Sequence, residues 1–586
     1  MSAAEARNDV DAAEGVRSSA ELDRILRLPR RRWLERASSL ATDLSVRLRT
    51  EGGTQTLRPA QTAVLCDLHD YGGALAPLGV GEGKTLISLL APVVGAAEAP
   101  LLLVPAKLVE KTRRELRAYR AHWLVPSYVR IVSYELLGRA HASDLLEQIR
   151  PDLIVADECH KLKNSRAAVT RRVKRYFDKY PRTRLIAMSG TITKRSILDY
   201  AHIAKWALKG ANPTPRDLET RLAWSEILDE RPGTDEPPRV GALRRLCELP
   251  DELAELGVDE VRAVRRAYRR RLVETPGVVA SVESALGASL RIDAELIAVP
   301  EVVHAVEALR RWERPDGEPV LNALEVWRHL RELALGFWYR WDPAPPDDWL
   351  EARRVWSRVV REVLRRDPTL DSEAQVTRAI AAGSFPEYAA DLAAWQRLRP
   401  TYKPQTRAVW LSERVARRCA SWLHGRRDDG DGGIAWVEHV DFGARVAELA
   451  GVPFFGRGGL DRTGRSILDH SPGKPLVCSI EANAEGRNLQ AWSTNLVTSP
   501  PTVGATWEQL LGRTHRHGQA EDEVSCHLVI ALREQAAAFE RARADARYIS
   551  DTTGHAQKLC YADVDVPASS RVPVLPTGEL EPEQPS

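Results

Sequence analysis

No two of the seven cysteines stand in C-x-x-C spacing: Cys66, Cys159, Cys247, Cys419, Cys478, Cys526 and Cys560 are scattered singly. That speaks against a zinc knuckle or a disulfide framework and matches a reduced cytosolic chain, so a cytoplasmic location is expected. Long apolar runs are missing as well. The most apolar stretch, Leu86 to Pro105, is broken by Pro92, Glu98 and Pro100 and cannot cross a bilayer, so no membrane is expected among the partners. The polar N-terminus carries no secretory apolar segment. An excess of one charge is absent too. With 84 Lys and Arg against 81 Asp and Glu the formal net charge is +3, so any nucleic-acid site must be a local patch. No internal repeat of solenoid length is visible.

What is present is a soluble globular composition, 44% hydrophobic and 28% charged over 586 residues, enough for several cores. Residues 1–52 mix acidic and basic side chains around Leu22, Leu26 and Leu28 and read as a helical or partly disordered arm, with Arg30, Arg31 and Arg32 on a solvated face. From Leu57, short β-rich runs alternate with helical periods: Leu101 to Val104, Val129 to Tyr134, Asp152 to Ala156 and Arg184 to Met188. That alternation predicts a parallel sheet covered by helices over 53–215. Residues 216–425 read as a helical insertion and linker, and ten of the 16 tryptophans fall between Trp312 and Trp436. The segment GFWYRW, Gly336 to Trp341, is expected to serve as core, with stacking on bases as the alternative. A second β/α alternation occupies 426–550, with strands expected at Ile434 to Val440, Leu476 to Ile480, Asn495 to Thr498 and Val524 to Ile530. The tail, 551–586, is rich in Pro, Glu and Ser and expected to be disordered at its end. The fold class is therefore α/β: two parallel-sheet lobes with a helical block between them.

The chemistry concentrates at GVGEGKTL, Gly79 to Leu86, between an apolar run, Ala74 to Leu78, and a helix-compatible run, Thr85 to Val94. A strand, glycine loop and helix in that order suit phosphate binding. Gly81 and Gly83 let the backbone curl and aim N–H groups at one anion, and the helix adds its positive end. Lys84 would neutralise β- and γ-phosphate oxygens and Thr85 would hold Mg²⁺. Leu78 stands where the strict G-x-x-x-x-G-K-[ST] pattern has glycine. Downstream, DLIVADECHKLKN, Asp152 to Asn164, ends an apolar strand in Asp157 and Glu158. Adjacent carboxylates are common on surfaces. At a strand end roughly 70 residues after a glycine-Lys-Thr loop, Asp157 suits Mg²⁺ and Glu158 suits the attacking water. A third stretch, EQLLGRTHRHGQ, Glu508 to Gln519, puts Arg513 and Arg516 three apart, on one face if helical. Spacing alone leaves a plain basic helix face in front.

These stretches resemble a superfamily 2 helicase-type ATPase and, within it, the SNF2-like group of DNA translocases. LRPAQ, Leu57 to Gln61, resembles the adenine-reading segment, with Arg58 and Gln61 on the nucleotide. LLLVPAKLVEKTRREL, Leu101 to Leu116, looks like motif Ia and IVSYE, Ile131 to Glu135, like motif Ib. DECHKLKN is similar to DEAHxLKN, with Cys159 for the usual Ala. SGT, Ser189 to Thr191, looks like motif III, SIEANAEGRNLQ, Ser479 to Gln490, like motif V, and GRTHRHGQ like motif VI.

The resemblance implies two RecA-like lobes with ATP and Mg²⁺ at their interface. Arg58, Gln61, Gly81, Gly83, Lys84, Thr85, Asp157 and Gln509 would bind nucleotide, with Thr85 and Asp157 on the metal. Glu158, Arg513 and Arg516 would be catalytic. It implies DNA as partner, duplex before single strand and RNA after both, gripped through phosphates by Lys111, Arg113, Arg114 and Asn488. Arg117, the cluster Arg171, Arg172, Lys174 and Arg175, and the cluster Arg265 to Arg271 could extend that track or be solvated helix faces. His160 and His515 would link hydrolysis to lobe closure rather than bind zinc. The alternatives are a strand-separating DNA or RNA helicase, and a nucleic-acid-binding scaffold whose ATPase has decayed.

Overall fold

The computed structural model describes residues 16–31, 37–79, 81–190, 192–193, 196–229, 238–280, 288–316, 320, 323–367, 370, 372–403, 405–428, 430, 432–484, 487–516 and 518–572. The chain forms two compact units, Met1–Ser284 with Asp545–Cys560, and Ala285–Ala544 with Tyr561–Ser586.

The first unit is built on five strands: β1 (Gly73–Ala76), β2 (Pro100–Val104), β3 (Arg130–Ser133), β4 (Leu153–Asp157) and β5 (Arg184–Met188). They pair in the order β1-β5-β4-β2-β3, all parallel. Parallel strands joined by helical crossovers are covered on both faces, which is why the central runs Leu101 to Val104 and Leu153 to Ala156 are apolar at every position. The side-chain period of two then divides them. Leu101, Leu103, Ile154 and Ala156 enter one core, while Leu102, Val104, Leu153 and Val155 enter the other. The first core also receives Leu22 and Ile25 from the N-terminal helix Ala20–Arg27.

That arm is held by arginines expected on solvated faces. Buried Arg271 donates to the carbonyls of Ile25 and Leu28 at 2.9 and 2.7 Å. Arg31 pairs with buried Asp67, and Arg30 with Glu248. Arg32 lies outside the described residues.

The second unit carries β6 (Ser289–Leu296), β9 (Gly433–Val437), β10 (Phe454–Phe455), β11 (Leu476–Ser479), β12 (Thr494–Val497), β13 (Glu523–Ile530) and β14 (Asp563–Asp565), and a separate ribbon of β7 (Phe337–Trp341) and β8 (Thr406–Trp410). Its main sheet has the order β10-β11-β9-β12-β13-β6-β14, again parallel throughout. Here the expected helical block needs correction. Residues 216–425 include β6, which pairs with β13 along its whole length, and the antiparallel pair β7–β8. The block is also divided, its helices Leu218–Leu228, Pro250–Leu256 and Glu260–Val273 belonging to the first unit.

Most of the tryptophan-rich text is core. Trp349, Trp356 and Trp395 fill a satellite cluster with Tyr402, and Trp338 of the GFWYRW segment is buried in the main core. The first part of the tail is ordered, residues 558–561 being helical and β14 adding an edge to the sheet, while 573–586, the end where disorder is expected, lie outside the described residues.

No helix among the described residues is long and apolar enough to cross a membrane.

Candidate functional site

The strand order decides which distant segments meet. Because β5 lies between β1 and β4, the chain leaving each of the three strands emerges along one carboxyl edge of the first sheet, the place where open α/β sheets bind ligands. After β1 comes the glycine loop. Gly81 and Gly83 have φ of 94° and 73°, in the left-handed region that favours glycine. A Cβ at Gly83 would also stand 2.1 Å from Gln61 Nε2. The helix Lys84–Val94 begins at once, with Thr85 in its first turn.

Lys84 lies across this loop, its ammonium donating to the Leu78 and Gly79 carbonyls at 3.0 and 2.9 Å. It is also 3.9 Å from Glu158 Oε1. Glu158 follows β4 in a left-handed conformation, φ 56°, a strained backbone state for a residue with a side chain. That turn points its carboxylate back at the edge, where the Ser189 hydroxyl donates to Oε2 at 3.2 Å. His160 Nδ1 lies 3.2 Å from the same oxygen and 3.0 Å from Ser189 Oγ. Lysine, carboxylate, histidine and serine thus form one cluster from three strand ends.

Electrostatics separate the two acids. Burial, reinforced by the charge of Glu158, pushes the Asp157 carboxyl up to about 7 against the pull of Lys84. Burial also disfavours charge on Glu158, but Lys84, His160 and Ser189 outweigh it and hold that carboxyl low. Neighbouring carboxyls driven apart in this way can take different roles, one ionised throughout and one ready to ionise beside a cation. The thiol of Cys159 is buried and raised, so it acts as packing.

Arg58 and Gln61 reach the loop from the start of the helix Pro59–Tyr71. Arg58 Nη1 donates to the Gly81 carbonyl at 2.9 Å and Gln61 Nε2 to that of Gly83 at 3.3 Å. They brace the loop from behind.

A further pair of contacts had no counterpart in the sequence reading. Within the first unit, Asp545–Cys560 returns to this edge. Gln557 Nε2 donates to the Gly190 carbonyl at 3.3 Å, and the His555 ring lies against Gly79. Residues 553–558 carry no motif, so only the fold could reveal them.

In the second unit, the helix Gly504–Thr514 positions Gln509 and Arg513. Buried Arg513 donates through Nε to the Gln509 carbonyl and through Nη1 to that of Arg487, both at 2.9 Å. Half-buried Arg516, just past the helix, donates to Asn488 Oδ1 at 2.5 Å. His515 Nε2 lies 2.8 Å from the Ala288 carbonyl. Thr191, Gly486 and His517 fall outside the described residues.

On the helix Val109–Tyr119 of the first unit, Lys111 pairs with Glu115 at 3.6 Å and Arg113 with Glu110, while Arg114 and Arg117 are exposed. Arg172 is buried and donates to the Leu137 carbonyl at 2.6 Å, so it holds the fold rather than a ligand. Within the cluster Arg265 to Arg271, Arg270 likewise holds Glu252 at 2.7 Å.

No protein-family model matches the sequence, and no curated protein matches it.

Proposed function

We propose that this chain is an ATP-hydrolysing motor acting on DNA, with the SNF2-like translocases as the group it resembles and two RecA-like lobes as its architecture. One observation carries the reading: Lys84, Glu158, Ser189 and His160 converge at the carboxyl edge of a parallel sheet, beside a loop whose left-handed glycines free its backbone to curl around an anion. A structural ion pair alone would not call for a strained glutamate at a strand end.

In this mechanism the loop amides and Lys84 hold the triphosphate, so Lys84 exchanges the Leu78 and Gly79 carbonyls for phosphate oxygens. Thr85 and Asp157 would hold Mg²⁺, which when bound neutralises phosphate charge; a hydroxyl and a carboxylate are fitting oxygen donors for it. Glu158, kept ionised, orients the attacking water and accepts its proton. Arg513 and Arg516 supply charge to the phosphoryl group in transit. Lys111, Arg113, Arg114 and Asn488 grip nucleic-acid phosphates, so stepping is sequence-blind and salt-sensitive.

The test is steady-state ATP hydrolysis with duplex DNA, single-stranded DNA, RNA or none of these. Stimulation by duplex that weakens as salt rises supports the reading. Greater stimulation by single strands or RNA favours a strand-separating helicase, and binding of nucleic acid without hydrolysis favours a scaffold.

A further inference from the structure

The first unit contains a second basic site. A cavity of about 760 Å³ is lined by Arg262, Arg265, Arg266, Arg269 and Arg547. Ligand pockets commonly span roughly 300–1,000 Å³, so this one has the size for a nucleotide and not for a duplex. Four of the arginines lie on the helix Glu260–Val273, spaced three and four apart so that they share a face. The fifth comes from the helix Arg533–Thr553, far away in sequence. The lining carboxylates are Glu255, Asp259 and Asp551, leaving five guanidiniums against three acids.

Part of this charge is already engaged. Arg262 pairs with Glu255 at 3.0 Å, Arg266 pairs with Asp251, and Arg265 donates to the Ile227 carbonyl at 3.0 Å. Arg269 and Arg547 differ: neither makes an ion pair or a hydrogen bond among the described residues. Burial lowers the Arg269 pKa against the attraction of Asp551, so its guanidinium is partly stripped of water without a bonded partner. Guanidiniums converging in a concave, partly dry site favour an anion with several oxygens, because each planar fork can bind two of them.

We propose that this cavity binds a small phosphorylated ligand of nucleotide size, with Arg269 and Arg547 as its principal contacts. The site is separate from Lys84, but its wall continues into the glycine-loop contacts. Asp551 and Thr552 line the cavity, Arg269 Nη2 would stand 3.3 Å from a Cβ built on Gly554, and the next residue, His555, lies against Gly79. An occupant therefore fixes the segment that seats on the glycine loop. That regulatory consequence rests on the proposed ATPase; the binding itself does not.

The experiment uses the full chain carrying Lys84→Ala, so that the glycine loop contributes little, and measures binding of inorganic triphosphate and of ADP by calorimetry. Both should bind, and Arg269→Gln with Arg547→Gln should weaken them on the order of 100-fold, the loss expected for two charge-assisted contacts. The same pair of substitutions should abolish the rise in melting temperature that triphosphate produces, and Arg378→Gln with Arg397→Gln, two exposed arginines outside every site described, should leave both readouts unchanged. Tighter binding of ADP marks the occupant as a nucleotide, and equal binding marks it as a phosphate chain; either supports the proposal. Absence of triphosphate and ADP binding, or binding indifferent to Arg269 and Arg547, overturns it, as does Arg269-dependent binding of a short duplex alone. Loss of hydrolysis in the unsubstituted chain with this binding intact would remove the motor reading and leave the second site standing.

Discussion

The imidazole of His555 lies against the backbone of Gly79 so closely that a Cβ built on that glycine would stand 2.5 Å from the ring Cε1. The Gly79 carbonyl is also one of the two acceptors of the Lys84 ammonium. A residue with no recognisable motif thus abuts the loop that carries the proposed phosphate-binding lysine.

Gly79→Ala should cost about 1–3 kcal/mol of stability, the usual range for overpacking a close contact, and should raise the KM for ATP. Adding His555→Ala should restore much of both. The check is a double-mutant cycle in denaturant unfolding and ATPase kinetics. Additive effects would mean that the contact is incidental.

Lys84→Ala and Glu158→Gln should fail differently. The first removes the counter-charge of the triphosphate and should weaken ATP binding together with hydrolysis. The second keeps the shape of the side chain but not its basicity, so ATP should still bind while turnover stops. Equilibrium binding of labelled ATP alongside turnover separates them. A Glu158→Gln protein that cannot bind ATP would show that Glu158 acts through the Lys84 contact instead.

The two arginines near the end of the helix Gly504–Thr514 should separate as well. Arg513 is buried on two backbone carbonyls, and removing charged hydrogen bonds of that kind costs roughly 1.5–3 kcal/mol each. Arg513→Ala should therefore lower the melting temperature before any effect on turnover can be read. Arg516 is half-buried just past the helix and donates to the Asn488 side chain, so Arg516→Ala should stay folded and lose on the order of 10³-fold in hydrolysis. Arg516→Lys should recover little of it, lacking the planar fork. A stable Arg516→Ala with full turnover would eliminate the catalytic assignment.

Asp229 offers a pH test outside the glycine loop. Burial raises its carboxyl from the ordinary 3.8 to about 6, against hydrogen bonds from Ser196, Ile197 and Tyr548. A carboxyl with a raised pKa takes up protons on folding, so its contribution favours the fold in acid and is lost as pH rises through about 6. Asp229→Asn stays neutral and keeps an acceptor for the Ile197 amide, 3.0 Å away in the wild type. The stability of wild type relative to the variant should fall between the ordinary carboxylate range and about pH 6, then level off. Urea midpoints across that window measure it, and a flat difference would place Asp229 in a solvated setting.

Much of the first sheet was legible because a strand covered on both faces must be apolar at every position, as Leu101 to Val104 and Leu153 to Ala156 are. β6 was harder, since Arg291, Asp293 and Glu295 interrupt it. Its clue was the alternation: Leu290 and Ile292 are buried while Ser289 and Arg291 are exposed. The glycine loop and the Asp157–Glu158 pair could be read because their chemistry is local. His555, Gln557 and the convergence of Arg269 with Arg547 could not, because long-range folding alone brings those residues to the sites they serve.

The pairing of β6 with β13 also constrains how the protein can be made. β6 leaves the ribosome roughly 230 residues before its partner strand exists, and loop closure on that scale is slow. The nascent chain must carry that strand, with one hydrogen-bonding edge waiting for β13, through synthesis of the whole tryptophan-rich segment. The first unit is short of its own final piece over the same interval, since Asp545–Cys560 is made only after Ala285–Ala544 of the second. Neither unit can reach its finished form before residues 523–565 have been made, so both are completed over the same short stretch of synthesis.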